Sequence, residues 1–196
     1  NYFNKKNLVT NKNWKAIVTT GPTREYLDPV RYISNESSGK QGYEIAIALK
    51  KLGVTTTLIT GPSNLIYPKG IKVKKITTAE EMLNEVKKSL PVEIAVCAAA
   101  VADFKPIKKS KNKIKKENMN FKDIKLVKNQ DILEYISKNN KHRPRLVAGF
   151  SAETENLIEN SINKIKKKHC DLIFANDISQ KDIGFNSDYN KVSVID

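Results

Sequence analysis

The chain has 196 residues, 39% of them hydrophobic and 7% aromatic, and a formal net charge of +14 at neutral pH. That length supports one domain with a sizeable core. No apolar run reaches membrane-spanning length and no secretory leader pattern opens the chain, so no membrane partner is expected.

The charge first suggests a nucleic-acid partner. Lysine far outnumbers arginine, the better bidentate reader of phosphate and guanine, and asparagine is abundant as well. That pairing reads as a composition bias, so most of the charge is expected on solvated surface and a minority at a site for a small polyanion. The first residue is Asn1, not Met, which points to a piece of a longer or processed chain.

Residues 1–13 are polar and Asn/Lys-rich and read as a leader or linker, with the domain running over 14–196. Ala16–Thr20 reads as a first strand. Gly21-Pro22 then turns into a polar loop that ends at Ser37-Ser38-Gly39, and a helix follows over Lys40–Leu52 with Ile45, Ala48, Leu49 and Leu52 on its apolar face. Strand, small-residue loop and helix start make an anion site, because the first helical N–H groups lack intrahelical partners and the dipole is positive there. The same features also describe a plain βα connection.

Gly53 stops that helix. Val54–Thr60 is a second strand, Gly61-Pro62-Ser63 a second turn like the first, and Ile71–Ile76 a third strand. Thr78-Ala79-Glu80-Glu81 is a capping box for a helix with Met82, Leu83, Val86 and Leu90 on one face. Val92–Ala100 is nearly all apolar, as in a central strand buried on both sides. This order of elements implies a mostly parallel α/β sheet between two helix layers.

Lys105–Lys116 differs, with seven lysines in twelve residues and only two isoleucines. It cannot bury much, and alone is expected to be mobile. Phe121–Val127 alternates as a returning strand, so 104–127 reads as a hairpin-like arm. Asp131–Lys138 is a short helix, Leu146–Phe150 a core strand, and Glu153–His169 a helix with a buried stripe of Ile158, Ile162 and Ile165. Asp171–Ala175 is another core strand, Asn176–Asn190 a loop, and Val192–Ile195 a last strand.

Parallel sheets bind ligands beyond the carboxyl ends of their strands. Those ends carry small residues with single polar groups: Asp103 after the Ala-rich run, Glu153 after Gly149, and Asn176. Turn formation accounts for the glycines better than for these three side chains. The dinucleotide fingerprint and the Walker loop are both absent, which disfavours a nicotinamide enzyme and a P-loop NTPase. Little aromatic interleaving accompanies the lysine run, which disfavours an RNA-binding module. Cys97 and Cys170 stand alone in apolar contexts, as buried thiols do in a reducing compartment, and His142 and His169 are too isolated for a metal site. Lys164 and Lys168 share a helix face away from the isoleucines, where a solvated role is the default.

Longer strings are more specific. Gly21-Pro22-Thr23-Arg24-Glu25, the run SNESSGKQG (34–42), AAAVADF (98–104), KIKK (113–116), LVKNQDIL (126–133), GFSAET (149–154), DLIFAND (171–177) and GFNSD (184–188) together resemble phosphopantothenoylcysteine synthetase, the phosphopantothenate–cysteine ligase, over residues 15–196. Gln130 departs from the proline usual in the bacterial pattern, and the chain stops at Asp196 where family members continue to a final helix.

The resemblance implies a Rossmann-like three-layer α/β/α fold with a flexible arm, and a cytoplasmic enzyme. It implies CTP, 4′-phosphopantothenate and L-cysteine as substrates, an acyl-CMP intermediate, Mg²⁺, a homodimer, and often fusion to a flavin-dependent decarboxylase. Carried over residue by residue, it gives Lys113 a reach to the triphosphate, overturns the solvated reading of Lys164 and Lys168, and makes both phosphate-holding. It gives nucleotide contacts to Cys97, Ala98, Ala99, Asp103, Val127, Lys128, Asn129, Gln130 and Phe150. Asn35 matches the amide that serves the second step, with Ser37, Ser38 and Gly39 on the substrate side. The arm is expected to act as a lid.

Overall fold

The computed structural model describes residues 13–115, 124–177 and 190–196. The predicted leader, the start of the Phe121–Val127 strand and most of the Asn176–Asn190 loop lie outside those residues.

The first half of the chain runs β1 (Lys15–Thr20), β2 (Arg24–Tyr26), β3 (Tyr32–Ser34), α1 (Lys40–Lys51), β4 (Thr55–Thr60), β5 (Lys72–Lys75), α2 (Ala79–Ser89) and β6 (Ile94–Cys97). The second half runs β7 (Phe104–Pro106), β8 (Leu126–Lys128), α3 (Ile132–Ser137), β9 (Leu146–Glu153), α4 (Leu157–Lys168), β10 (Leu172–Asp177) and β11 (Val192–Ile195).

Seven strands form the central sheet in the order β11-β10-β9-β6-β1-β4-β5. All neighbours are parallel except β10 and β11, so the α/β Rossmann-like reading holds. The chain builds outward from β1 to β4 and β5, then returns to lay β6 on the other side of β1. The crevice for a ligand therefore opens at the carboxyl ends of β1 and β6.

One apolar cluster includes Ile17, Ile59, Met82, Val86, Val147 and Ile173, and the other includes Val18, Ala46, Leu58, Ile94 and Ala148. Alternate residues of the same strands feed the two, as a sheet covered on both faces requires.

The predicted capping box forms: the Glu81 N–H donates to Thr78 Oγ1 at 3.2 Å and the Thr78 N–H to Glu81 Oε2 at 3.1 Å. Two helix faces are turned from the expected ones. In α1 the buried residues are Gly42 and Ala46, flanked by Ile45 and Leu49, while Ala48 and Leu52 face solvent. The smallest side chains face the sheet because α1 lies close against β1. In α4, Ile158 and Ile162 are 51% and 38% exposed, and Ile165 alone of the predicted stripe packs on the core. The inward face carries Leu157, Ser161, Lys164 and Lys168 instead. It is polar because it borders a cavity as well as the core.

Two small antiparallel pairs stand off the main sheet, the hairpin β2–β3 and the ribbon β7–β8. β2 packs beside β7. Together they carry exposed Val30, Tyr32, Phe104, Ile107, Leu126 and Val127. The Lys-rich segment is pinned through its backbone, not through apolar burial: the Ser110 N–H donates to the Leu27 carbonyl at 2.9 Å and the Ile114 N–H to Asp28 at 3.2 Å.

Candidate active site

The site is built on backbone that turns sharply where the strands end. At the end of β1 the chain passes Gly21, whose φ of +71° falls in the left-handed region, and the turn reaches Gly39, with φ +78°, at the start of α1. Thr20 Oγ1 donates to the Gly39 carbonyl at 2.7 Å and fixes the helix start over the strand end. Gly39 has no side chain with which to cap α1, and no acidic residue stands in the first turn. Ser37 Oγ and Ser38 Oγ accept from the Gly39 and Lys40 N–H groups at 3.3 and 3.4 Å, so hydroxyls stand at the positive end of the helix, the end that favours an anion.

The loop after β6 is held as a rigid platform. The Ala102 N–H donates to Thr23 Oγ1 at 3.0 Å, Asn35 Nδ2 to the Val101 carbonyl at 3.0 Å, and Asn129 Nδ2 to the Ala102 carbonyl at 2.8 Å.

Two cavities adjoin on this platform. The larger, about 1140 Å³, is lined by Asn35, Ser37, Ser38, Gly39 and Ala98 among others. The smaller, about 650 Å³, is lined by Cys97, Lys128, Asn129, Gln130 and Lys168 among others. Ala99, Val101, Asp103, Phe150 and Lys164 line both. The strand-end convergence thus brings most of the sequence-derived candidates into one cleft. Val127 lies on β8, 43% exposed, and lines neither cavity. Lys113 stands exposed on the arm, also outside both.

Lys168 is the lysine of the smaller cavity that is held by carboxylates. Lys168 Nζ lies 2.8 Å from Asp131 Oδ2 and 2.9 Å from Glu134 Oε2. Burial alone would pull the ammonium down, but the two carboxylates outweigh it and hold Lys168 above the ordinary lysine value. Lys138 and then Lys168 draw Glu134 down to about 2. Asp131 also caps α3, accepting from the Glu134 N–H at 2.8 Å.

Lys164, at the junction of the cavities, donates to the Phe150 carbonyl at 2.7 Å. Its burial lowers its pKa, against the pull of Glu153. Phe150 is held by a stacked contact with Phe174, ring centres 5.1 Å apart. Desolvation pushes the Cys97 thiol up to about 12, so it stays protonated at neutral pH.

The strand-end polar groups divide. Asn176 lines the larger cavity. Glu153 accepts from Ser151 Oγ at 2.7 Å and Asn160 Nδ2 at 3.1 Å, so it braces the loop after β9. Sequence reasoning missed Asp131, Glu134 and Lys167 in the smaller cavity. The spacing of Asp131 and Glu134, an N-cap and its third residue, reads locally as helix capping and gives no sign of Lys168 across the gap. Among the described residues no three metal-ligating side chains cluster, and no helix is long and apolar enough to cross a membrane.

Comparison with known proteins sets this cleft in context. The profile of the DNA/pantothenate metabolism flavoprotein C-terminal domain matches residues 11–196. The coenzyme A biosynthesis bifunctional protein CoaBC of Borreliella burgdorferi is 45% identical over 197 residues, which is 100% of this chain and 49% of that protein. CoaBC of Escherichia coli K12 is 45% identical over 182 residues, 91% of this chain and 45% of that one. This chain therefore spans about half the length of the curated relatives it matches. The crystal structure of the C-terminal domain of a CoaBC protein superposes with a TM-score of 0.74 at 31% identity, over 95% of this chain and 89% of the other.

Proposed function

This chain belongs to the family of the DNA/pantothenate metabolism flavoprotein C-terminal domain, and we propose that it acts there as phosphopantothenate–cysteine ligase in coenzyme A biosynthesis. The observation that carries the reading is the meeting of two unlike cavities at five shared residues. One offers an amide, hydroxyls and a helix start, and the other offers lysines. A ligase that activates an acid on a nucleotide needs two such compartments converging on one reacting centre.

In the first step a carboxylate oxygen of 4′-phosphopantothenate bonds to the α-phosphorus of CTP. The bond to the bridging oxygen breaks, and pyrophosphate leaves with the electron pair. In the second step the cysteine nitrogen bonds to the acyl carbon and gives up a proton, and CMP leaves. Both steps gather negative charge, and the protein's contribution is positioning and fixed donors. Lys164 and Lys168 bind the phosphates from α4, with Lys168 already held in place by Asp131 and Glu134. Phe150, Asp103 and the backbone of Ala98–Ala99 and Lys128–Gln130 receive the nucleoside. Asn35 orients the acyl carbonyl beside the platform, and Ser37–Gly39 receive an anionic group at the α1 start.

Asp131 and Glu134 are already engaged with Lys168, which leaves Asp103 as the remaining carboxylate of the smaller cavity, so Mg²⁺ would arrive on the triphosphate and not as an ion held by the protein alone. When bound, that ion would supply charge neutralisation on the phosphates.

Lys113 lines neither cavity of its own chain, and it sits on the same unit as the exposed apolar patch. We read that patch as the homodimer face. A second copy docked there brings the arm of one protomer to the cleft of the other.

Pyrophosphate release tests the function. With phosphopantothenate, Mg²⁺ and CTP, but no cysteine, the full-length protein should release pyrophosphate, faster than with ATP. Release that does not depend on phosphopantothenate refutes the ligase.

A further inference from the structure

We propose that Asp28 is the positioning residue of the arm lysine: its carboxylate ties the Lys113–Ile114 backbone to the β2–β3 hairpin and so fixes where Lys113 is presented. The inference rests on the ligase reading for the role of Lys113, and on geometry alone for the anchor.

The Asp28 side chain is fully buried in the turn between β2 and β3. Its two oxygens do separate work. Oδ1 accepts from the Val30 and Arg31 N–H groups, each at 2.8 Å, which closes the turn. Oδ2 accepts from the Ile114 N–H at 3.2 Å and lies 3.5 Å from Arg31 Nη1. Arg31 Nη2 in turn donates to the Ile114 carbonyl at 3.1 Å. Both backbone polar groups of Ile114 are thereby held, one by the carboxylate and one by its guanidinium partner. Lys113 is the preceding residue.

Closing the turn needs only Oδ1. Asparagine or serine does this routinely from the same position. A second, buried, charged oxygen is costly unless something uses it, and here the arm and Arg31 are its users. Burial alone would raise the carboxyl, but the three backbone N–H groups and Arg31 outweigh it and hold the group below its ordinary range, so the anchor stays charged. Nothing else in 105–115 could bind the arm by apolar burial, since Ile107 is 63% exposed and Ile114 is the only other aliphatic.

The test is Asp28→Asn in the full-length protein. The amide oxygen keeps the turn, while the amide NH₂ faces the Ile114 N–H and the guanidinium as a donor against donors. Hydrogen exchange at the Ile114 amide should quicken at least about tenfold, with Val30 and Arg31 unchanged. The kcat for pyrophosphate release should fall at least about tenfold, with the KM for phosphopantothenate unmoved. In a Lys113→Ala background the same substitution should cost nothing further, because it acts through that lysine. Unchanged exchange at Ile114, or a full additional loss in the Lys113→Ala background, overturns the proposal. If Asp28→Asn does not fold, Asp28→Ser, whose hydroxyl can still cap the turn, faces the same three criteria. A wild-type protein that releases no pyrophosphate refutes the ligase reading and the catalytic part with it, and the Ile114 exchange then decides the anchor by itself.

Discussion

Gly42→Ala tests whether the cleft depends on the closeness of α1 to β1. A Cβ at Gly42 would stand 2.5 Å from both Cβ and Oγ1 of Thr20 and 3.1 Å from the Thr19 carbonyl oxygen. Thr20 is buried and its hydroxyl is committed to the Gly39 carbonyl, so it cannot turn aside without losing that bond. Restoring an ordinary contact requires α1 to move by about 1 Å. Overpacking of that kind costs about 1–3 kcal/mol, and loss of the Thr20–Gly39 bond adds about 1 kcal/mol. For a domain of this size the melting temperature should fall by about 5–15 °C. The same shift carries the Gly39 helix start out of register with the platform, and an error of about 1 Å in a reacting site can cost roughly 100-fold in rate. The assay is calorimetric melting, with pyrophosphate release measured well below the variant's own transition. Gly53→Ala is the control, because its Cβ meets nothing within 4 Å although φ is +81°. It should lose about 1–2 kcal/mol with no change in rate. A Gly42→Ala protein that melts with the wild type and keeps its rate refutes the reasoning.

Asn35→Asp places an oxygen against the Val101 carbonyl, where Nδ2 now donates at 3.0 Å. The acyl-CMP intermediate should accumulate when cysteine is supplied, seen by rapid quench and mass spectrometry; equal slowing of both half-reactions would count against this role. Glu134 has a folded pKa of about 2 against an ordinary 4.5, so its pairing stabilises the fold above about pH 4.5, and that contribution is lost as the pH falls towards 2. With the side chain 34% exposed, the contribution is discounted for solvent screening to about 1 kcal/mol. The melting difference between wild type and Glu134→Gln should therefore close between about pH 5 and pH 2, and a gap that stays constant across that range contradicts the pairing. Ile107→Glu with Val127→Glu puts charge into the exposed patch, and light scattering should give the monomer mass with the fold intact. A variant that stays dimeric moves the interface elsewhere.

The fold was largely legible because its signals are local. The Thr78–Glu81 box, the Gly53 stop and the apolar Val92–Ala100 run each act on their own neighbours, and each appears where periodicity puts it, with β6 shorter than the run. The helix faces were less legible. In α4 the isoleucines outrank every neighbour in hydrophobicity, yet Ile158 and Ile162 face outward while Ser161 is buried. What orients that helix is where its lysines must end, beside Asp131 and Glu134 on another helix, and no window of sequence around α4 contains those partners. The arm shows the same limit. Its composition predicts mobility, and the bonds that pin Ser110 and Ile114 come from Leu27 and Asp28, more than eighty residues away.

The net charge of +14 is a poor guide to the cleft. The smaller cavity is lined by Lys128, Lys164, Lys167 and Lys168 but also by Asp103, Asp131 and Glu134, so its own balance is close to neutral. A pocket of unopposed lysines would repel its own members and spread them into solvent, and a triphosphate would then have to gather them. Here Lys168 is fixed by two carboxylates, and Lys164 by the Phe150 carbonyl. The ordering of long side chains is completed when the chain folds, so it need not be repeated at each binding event. On the proposed reading, near-neutrality would also let product pyrophosphate leave. On that reading, the acidic partners of Lys168 are therefore as much part of the phosphate site as the lysines themselves.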